Sequence, residues 1–210
     1  GLIGGKFAMD VRLSRVLSDG FIDRASSNLK SFYLSGSYVG KKSLIKAVAF
    51  SGKERTYQSW YGTPESVING DANEMNAYAD RNYLSDAERT NLLESGRSYN
   101  YYTYQDEVDN YQQDNYQLHF THTFSPKTTL NVAGHYTKGR GYYEQYKFGE
   151  NLSEYGLGDV IVGADTVTST DLIRRRWLDN DFVGGVYSLS HTINSNLSLQ
   201  LGGAGNTYIG

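Results

Sequence analysis

A stretch of strict alternation between two kinds of residue limits the folds that this sequence can adopt. Between residues 115 and 124, and again between residues 128 and 136, every second position carries an aromatic, aliphatic or otherwise weakly polar side chain. A period of two is typical of a β-strand with one apolar face. Ser125, Pro126 and Lys127 separate the two runs with residues that favour a turn. The stretch therefore predicts a hairpin of two strands, each with two different faces.

The chemistry of the two faces indicates a membrane. One face of the predicted hairpin carries Tyr116, Leu118 and Phe120, whereas the other carries uncharged Asn, Gln, Thr and His. A transmembrane β-barrel shows this pattern because its outer face meets lipid and its inner face lines a hydrated lumen. We therefore expect these strands to belong to such a barrel.

The composition agrees with an all-β chain. The sequence holds 19 Tyr and 23 Gly but only 2 Pro, and no Cys, which excludes a disulfide framework and a thiolate metal site. No uninterrupted apolar run approaches the roughly 18 residues of a transmembrane helix, whereas a barrel strand needs only about 9 to 11. The net charge of -3, with no continuous basic stripe, argues against a nucleic-acid partner.

The alternation predicts about seven strands in an antiparallel, up-and-down arrangement. They span approximately residues 6–17, 28–39, 43–55, 112–124, 128–139, 176–191 and 196–208. Short turns alternate with long connections, of which the longest cover residues 56–111 and 140–175, as in outer-membrane barrels with long extracellular loops. An odd number of strands cannot close an antiparallel barrel, and no signal peptide begins at Gly1. We therefore expect residues 1–210 to be a fragment, a partial barrel domain.

The longest connection contains one helix signal. Ser85 and Glu88 form a capping box, and Gly96 follows at the position where a glycine commonly ends a short helix. We expect one short helix in this loop and a further strand-like segment over residues 99–104.

Four stretches resemble the TonB-dependent outer-membrane receptors. They are DGFIDRASSNLKSFYLSGSYVG (19–40), KERTYQSWYGTP (53–64), LHFTHTFSPKTTLNVAGHYTKGRGYYEQYK (118–147) and DLIRRRWLDNDFVGGVYSL (171–189). The resemblance implies a barrel of about 22 strands in the outer membrane of a Gram-negative bacterium, plugged by an N-terminal domain. It also implies import of a scarce ligand, such as a ferric siderophore or cobalamin, with energy from the TonB complex. This chain lacks the plug and its TonB-contacting segment, so contact with TonB is expected through that missing domain.

Aromatic residues of the two long connections are the first candidates for ligand contact. They are Trp60, Tyr61, Tyr101, Tyr102, Tyr142, Tyr143 and Tyr146. Aromatic rings stack on planar ligands. The alternative for any single ring is the aromatic girdle at the membrane surface or packing between loops.

Arginines are the second set of candidates. In a strand Arg174 and Arg176 share one face and Arg175 lies on the other. Their guanidinium groups match the oxygen atoms of an anionic chelate. The alternative is a solvated charge run or contact with lipopolysaccharide phosphates.

Metal and catalytic sites are not predicted. His119 and His135 fall on the predicted lumen face, opposite each other across the turn, but no third ligand is near in sequence, so a polar wall is the better interpretation. The acidic segments near Asp71 and Asp106 lack EF-hand spacing. Because no catalytic motif such as G-x-S-x-G occurs, we expect neither enzyme activity nor a cofactor.

These observations favour an active importer. Its expected partners are outer-membrane lipid and lipopolysaccharide, the imported ligand and the TonB complex. An importer of glycan or peptide that works with a surface lipoprotein is the main alternative, and a passive porin or a barrel hydrolase is less favoured.

Overall fold

The structure is a computed structural model that describes residues 3–210; Gly1 and Leu2 of the expected fragment lie outside the described residues. Within residues 3–210, seven long strands form one sheet. They are β1 (Phe7–Ser18), β2 (Ser27–Val39), β3 (Ser43–Tyr57), β4 (Val108–Ser125), β5 (Thr128–Asn151), β8 (Ser169–Asn194) and β9 (Leu197–Ile209). A small hairpin, β6 (Val160–Val162) and β7 (Asp165–Val167), lies between β5 and β8.

The seven long strands lie in the sheet in the order in which they occur along the chain. The order is β1-β2-β3-β4-β5-β8-β9, and every pair is antiparallel. The all-β class and the up-and-down arrangement predicted from the sequence are thus confirmed. The sheet is open, with β1 and β9 at its two edges.

The strand register joins the apolar positions of all seven strands into one surface, here called the apolar face. Val11 lies opposite Leu34, Leu34 opposite Ala49, and Ala49 opposite Tyr116. The large side chains of this face are exposed, for example Leu13 at 79% and Leu118 at 57%. An exposed apolar surface that extends across a whole sheet is the surface that a barrel presents to lipid.

The opposite side, here called the polar face, carries hydroxyl, amide and charged groups. Ser35 is buried on it and donates a hydrogen bond to the Asp10 carboxylate at 3.1 Å. A groove of about 650 Å³ runs along this face between β1 and β4, and residues such as Arg12, Tyr33 and Gln113 line it. A groove on the polar face corresponds to the lumen side of a barrel.

The prediction that residues 140–175 form a long connection is wrong. β5 and β8 continue far above the other strands and pair from Glu144 with Arg175 up to Asn151 with Ser169. The remaining connection covers residues 152–168 and includes a short 3-10 turn at Leu152–Tyr155. The alternation disappears here because a ribbon that stands in water carries polar and aromatic residues on both faces.

The prediction of a single loop helix is also wrong, because the described chain has three α-helices in this loop. They are α1 (Glu65–Asn69), α2 (Ala72–Arg81) and α3 (Asp86–Glu94). The predicted helix is α3, and its Ser85–Glu88 capping box is present. Asp71, which the sequence placed in an acidic segment, instead caps α2 by accepting hydrogen bonds from the backbone of Asn73 and Glu74. Between residues 3 and 210, no helix has both the length and the apolar character needed to cross a membrane.

Residues 99–104 do not continue as a strand. Tyr99 instead packs into a small core beneath the helices. The buried members of this core are Val67, Met75, Ala79, Leu92 and Tyr99. The loop between β3 and β4 is therefore a folded cap with its own apolar interior.

We predict that Gly141→Ala destabilises the pairing of β4 with β5. A Cβ atom at this position would lie 2.2 Å from the carbonyl oxygen of Asn110 and 2.7 Å from Cα of Tyr111, so the strands must separate. Overpacking of this kind costs about 1–3 kcal/mol. The midpoint of thermal unfolding in detergent should fall. Gly52→Ala on β3 is the control, because its added Cβ meets nothing within 4 Å, and an equal loss in both variants would contradict the prediction.

Candidate functional site

Five aromatic residues meet where the folded cap reaches the upper part of β5. This aromatic cluster consists of Trp60, Tyr61, Tyr101, Tyr102 and Tyr143. The rings of Tyr61 and Tyr101 have centroids 4.7 Å apart, and Trp60 lies 5.8 Å from Tyr143 and 6.3 Å from Tyr102. Such spacings are typical of interacting aromatic pairs. All five residues were predicted from the sequence as ligand candidates, and the structure brings them together.

The cluster has a buried base and an exposed surface. Tyr102 is 8% exposed, whereas Trp60 is 58% and Tyr61 is 71% exposed. Burial raises the pKa of Tyr102 and of Tyr101, so both phenols stay protonated and neutral at physiological pH. The exposed rings thus form an uncharged aromatic platform open to solvent.

Asn100 fixes the chain that carries the platform. Its Nδ2 donates to the carbonyl oxygens of Asp23, at 2.9 Å, and of Gln58, at 3.0 Å, while its Oδ1 accepts from the backbone N–H of Tyr102. Asn100 is 2% exposed. One buried amide therefore ties together the β1–β2 connection and both ends of the cap. No local sequence pattern indicates this role, because the partners of Asn100 are distant along the chain.

Arg24 supports the same junction. Its Nε donates to the carbonyl oxygen of Tyr102 at 3.0 Å, and its Nη2 donates to that of Asn100 at 3.2 Å. The residue adopts a positive φ of 65°, an uncommon conformation for a side chain of this size. The β1–β2 connection thus packs against the cap with Arg24 in the left-handed backbone conformation.

The free edge of β5 above Tyr143 is covered by two residues of the cap. Glu107 accepts a hydrogen bond from the backbone N–H of Tyr146 at 3.1 Å, and Gln58 Nε2 donates to the carbonyl oxygen of Glu144 at 3.2 Å. Burial raises the pKa of the Glu107 carboxyl. These contacts dock the cap onto the β5–β8 ribbon, a role that no local sequence pattern predicts for either residue.

Arg176 extends the aromatic cluster with a positive charge. Its Nη1 donates to the Tyr143 hydroxyl at 3.0 Å, and its guanidinium carbon lies 6.0 Å from the Tyr143 ring centroid. Arg174 lies on the same face and donates to Gln145 Oε1 at 2.7 Å. The predicted sharing of a face by Arg174 and Arg176 is confirmed, since Arg175 points to the other side and binds Glu144.

Two of the sequence candidates lie outside the cluster. Tyr142 is on the opposite face of β5, where its ring lies 4.8 Å from that of Trp177 and 4.7 Å from the Arg175 guanidinium carbon. Tyr146 pairs with Tyr104 at 6.1 Å and donates to Asp171. Adjacent residues of a strand point to opposite faces, which separates Tyr142 from Tyr143.

A cavity of about 280 Å³ lies between the cap and the ribbon. Its lining includes Tyr61, Tyr101, Tyr102, Glu107 and Tyr146, so it adjoins the aromatic cluster. Tyr104 also lines it and donates to Glu144 Oε1 at 2.7 Å. This hydrogen bond to a carboxylate raises the pKa of Tyr104 to about 12.

The two candidate histidines share the polar face but are not opposite each other. His119 lies opposite Ala133, and Gln117 lies opposite His135, so the prediction of a facing pair is wrong by two residues of register. Among the described residues, no group of three or more His, Cys, Asp or Glu side chains is arranged to hold a metal ion.

An open antiparallel sheet with an exposed apolar face, a polar face and long loops at one end has the fold of part of a transmembrane barrel. Among solved structures, the chain is similar to the ferric-catecholate import receptor Fiu from E. coli K12 in its open form, with a TM-score of 0.62 and 14% identity. The alignment covers 99% of this chain and 31% of the receptor. At this identity the likeness shows the fold alone. No family model and no curated protein sequence matches the chain.

Proposed function

We propose that this chain forms part of the barrel of a TonB-dependent outer-membrane receptor that binds and imports a scarce ligand, namely a ferric siderophore, a similar metal chelate or cobalamin. One observation carries the proposal. The sheet has an exposed apolar face suited to lipid, and an exposed aromatic platform, flanked by arginine, lies at the end of its polar face. Such a platform above a lumen is suited to capture a ligand before transport. Energy would come from the TonB complex through a plug domain, as the resemblance implies.

The chemistry of the platform favours a ferric siderophore with planar, negatively charged groups. A catecholate offers a ring for stacking and oxygen atoms for a guanidinium group, and the similar receptor imports ferric catecholates. Cobalamin belongs to the same proposal as a second scarce cargo. A neutral glycan would also stack, but its binding would not require the positive charges of Arg174 and Arg176. An importer of glycan or peptide with a lipoprotein partner is therefore the second candidate, and we propose no enzyme activity.

Growth assays identify the cargo class. A strain that lacks the full-length protein is grown on limiting ferric siderophores, haem, cobalamin or oligosaccharides, with the restored gene as control. Failure on an iron chelate or a corrinoid alone supports the proposal. Failure on an oligosaccharide would favour the glycan importer, and unchanged growth on every source would contradict both.

We predict that Trp60→Ala and Arg176→Lys weaken ligand binding. The loss of one aromatic contact costs about 0.5–1.5 kcal/mol, and the loss of charge-assisted hydrogen bonds costs about 1.5–3 kcal/mol. Arg176→Lys keeps the positive charge but removes the planar fork. The measurement is equilibrium binding of the cargo that the growth assay identifies.

Tyr83→Ala is the matched control for these variants. Tyr83 belongs to the same cap and is 94% exposed, but it lies at the α2–α3 connection outside the aromatic cluster. Binding by Tyr83→Ala should equal that of the wild type. A loss as large as that of Trp60→Ala would show that the platform is not the contact surface.

A further inference from the structure

Three cations that are distant in sequence line up on neighbouring strands of the sheet. Arg15 on β1 lies opposite Lys30 on β2, which in turn lies opposite Lys53 on β3. Residues directly opposite each other share one face of a sheet, so the three side chains project on the same side. All three are exposed. We call these residues the cation row.

The cation row borders the apolar face. Two residues closer to the short turns, Leu13 lies opposite Phe32 on the same face, and these side chains are 79% and 43% exposed. Two residues along a strand correspond to about 7 Å. The row spans roughly 10 Å across three strands that are about 4.8 Å apart. The positive charges thus lie next to the apolar surface that the proposed function assigns to lipid, on the side of the long loops.

Within residues 3–210, no ion pair neutralises the charges of the cation row. Other cations near this level have carboxylate partners, such as Arg55 with Asp106 at 2.8 Å and Arg140 with Asp114 at 3.3 Å. Across residues 3–210, no ion pair includes any member of the cation row. Like charges directly opposite each other destabilise a sheet. An external anion would remove this repulsion.

We propose that the cation row binds the phosphate groups of membrane lipid in the leaflet that surrounds the barrel. One amphiphile satisfies both surfaces, because its acyl chains cover Leu13 and Phe32 while its phosphate meets the cations. A free anion would satisfy only the charges. This inference rests on the membrane location proposed above, but it does not depend on the identity of the cargo.

The test compares two triple variants of the full-length protein. R15Q/K30Q/K53Q removes the cation row, and K6Q/K41Q/K42Q removes three exposed cations at the opposite end of the strands. Each protein is titrated in detergent micelles with phosphatidic acid, whose head group is a phosphate monoester, and with zwitterionic phosphatidylcholine. Parallel titrations use lipopolysaccharide and inorganic phosphate.

The wild type and K6Q/K41Q/K42Q should bind phosphatidic acid and lipopolysaccharide in a salt-sensitive manner. R15Q/K30Q/K53Q should bind them more weakly by roughly one to two orders of magnitude, since each cation near a lipid surface contributes to the attraction. Without anionic lipid, its thermal unfolding midpoint should equal or exceed that of the wild type, because the repulsion is gone.

Equal lipid affinity of R15Q/K30Q/K53Q and the wild type would overturn the inference. Stabilisation of the wild type by inorganic phosphate to the same extent as by phosphatidic acid would also overturn it, because the row would then be a site for free anions. The two proposals fail separately. A wild type that does not insert into membranes contradicts the proposed function, whereas an inserted wild type without phosphate preference contradicts only the lipid site.

Discussion

Leu118→Arg is expected to impair membrane insertion by about 2–4 kcal/mol, the cost of a basic side chain on the lipid face at the middle of a barrel strand. Leu118 is 57% exposed and lies between Ala47 and Gly134 on the neighbouring strands. These small neighbours provide no carboxylate to pair with a guanidinium group, so the new charge would meet hydrocarbon directly. Aspartate at Leu118 or Phe120 should act in the same direction with a smaller effect.

Gln117→Arg is the matched control, since it introduces the same residue one position away on the polar face. Gln117 accepts a hydrogen bond from His119 in a polar environment, where an added charge stays hydrated. Both variants are refolded into lipid vesicles, and the folded fraction is measured by resistance to denaturation in detergent. If both variants lose the same amount of folded protein, the assignment of the two faces is wrong.

Asn100→Asp is expected to release the cap while the sheet remains folded. The substitution keeps the shape of the side chain but replaces the Nδ2 donor by an oxygen, which then faces the carbonyl oxygens of Asp23 and Gln58. A buried acceptor without its donor costs about 1–3 kcal/mol, so the two together cost roughly 2–6 kcal/mol. Local opening of the cap should therefore become much more frequent than in the wild type.

Limited proteolysis measures this opening. Arg81 and Arg89 lie in α2 and α3, so trypsin cleavage after them reports local unfolding of the cap. Cleavage of Asn100→Asp at these sites should be faster by more than tenfold. Asn82→Asp is the control, because Asn82 is exposed and its Nδ2 bonds only to the preceding turn of α2. Unchanged cleavage of Asn100→Asp, or equal cleavage of both variants, would contradict the role of Asn100 as the junction.

Local patterns were sufficient to predict the strands inside the proposed membrane layer. There, one face of each strand meets an apolar environment and the other a polar one, so alternation appears directly in the residues. The predicted β2 limits of 28–39 and the observed Ser27–Val39 differ by one residue at one end. The α3 helix was also predictable, because its Ser85–Glu88 capping box is formed by residues close together in the chain.

Outside the proposed membrane layer, residue alternation did not predict the strands. β5 and β8 extend to Asn151 and back from Ser169 with polar residues on both faces, so no period marked them. α2 is held mainly by packing of Met75 and Ala79 against α3 and Tyr99, a long-range effect that outweighs weak local preferences.

Local sequence was sufficient for the alternation of faces, the short turns and the residue types available for ligand contact, because these depend on near neighbours along the chain. Which of those residues meet depends on the pairing of distant segments. Strand register offset His119 from His135 and aligned Arg15, Lys30 and Lys53. The physical reason is that register and loop docking depend on contacts between distant segments, such as those of Asn100, and no local pattern records these contacts.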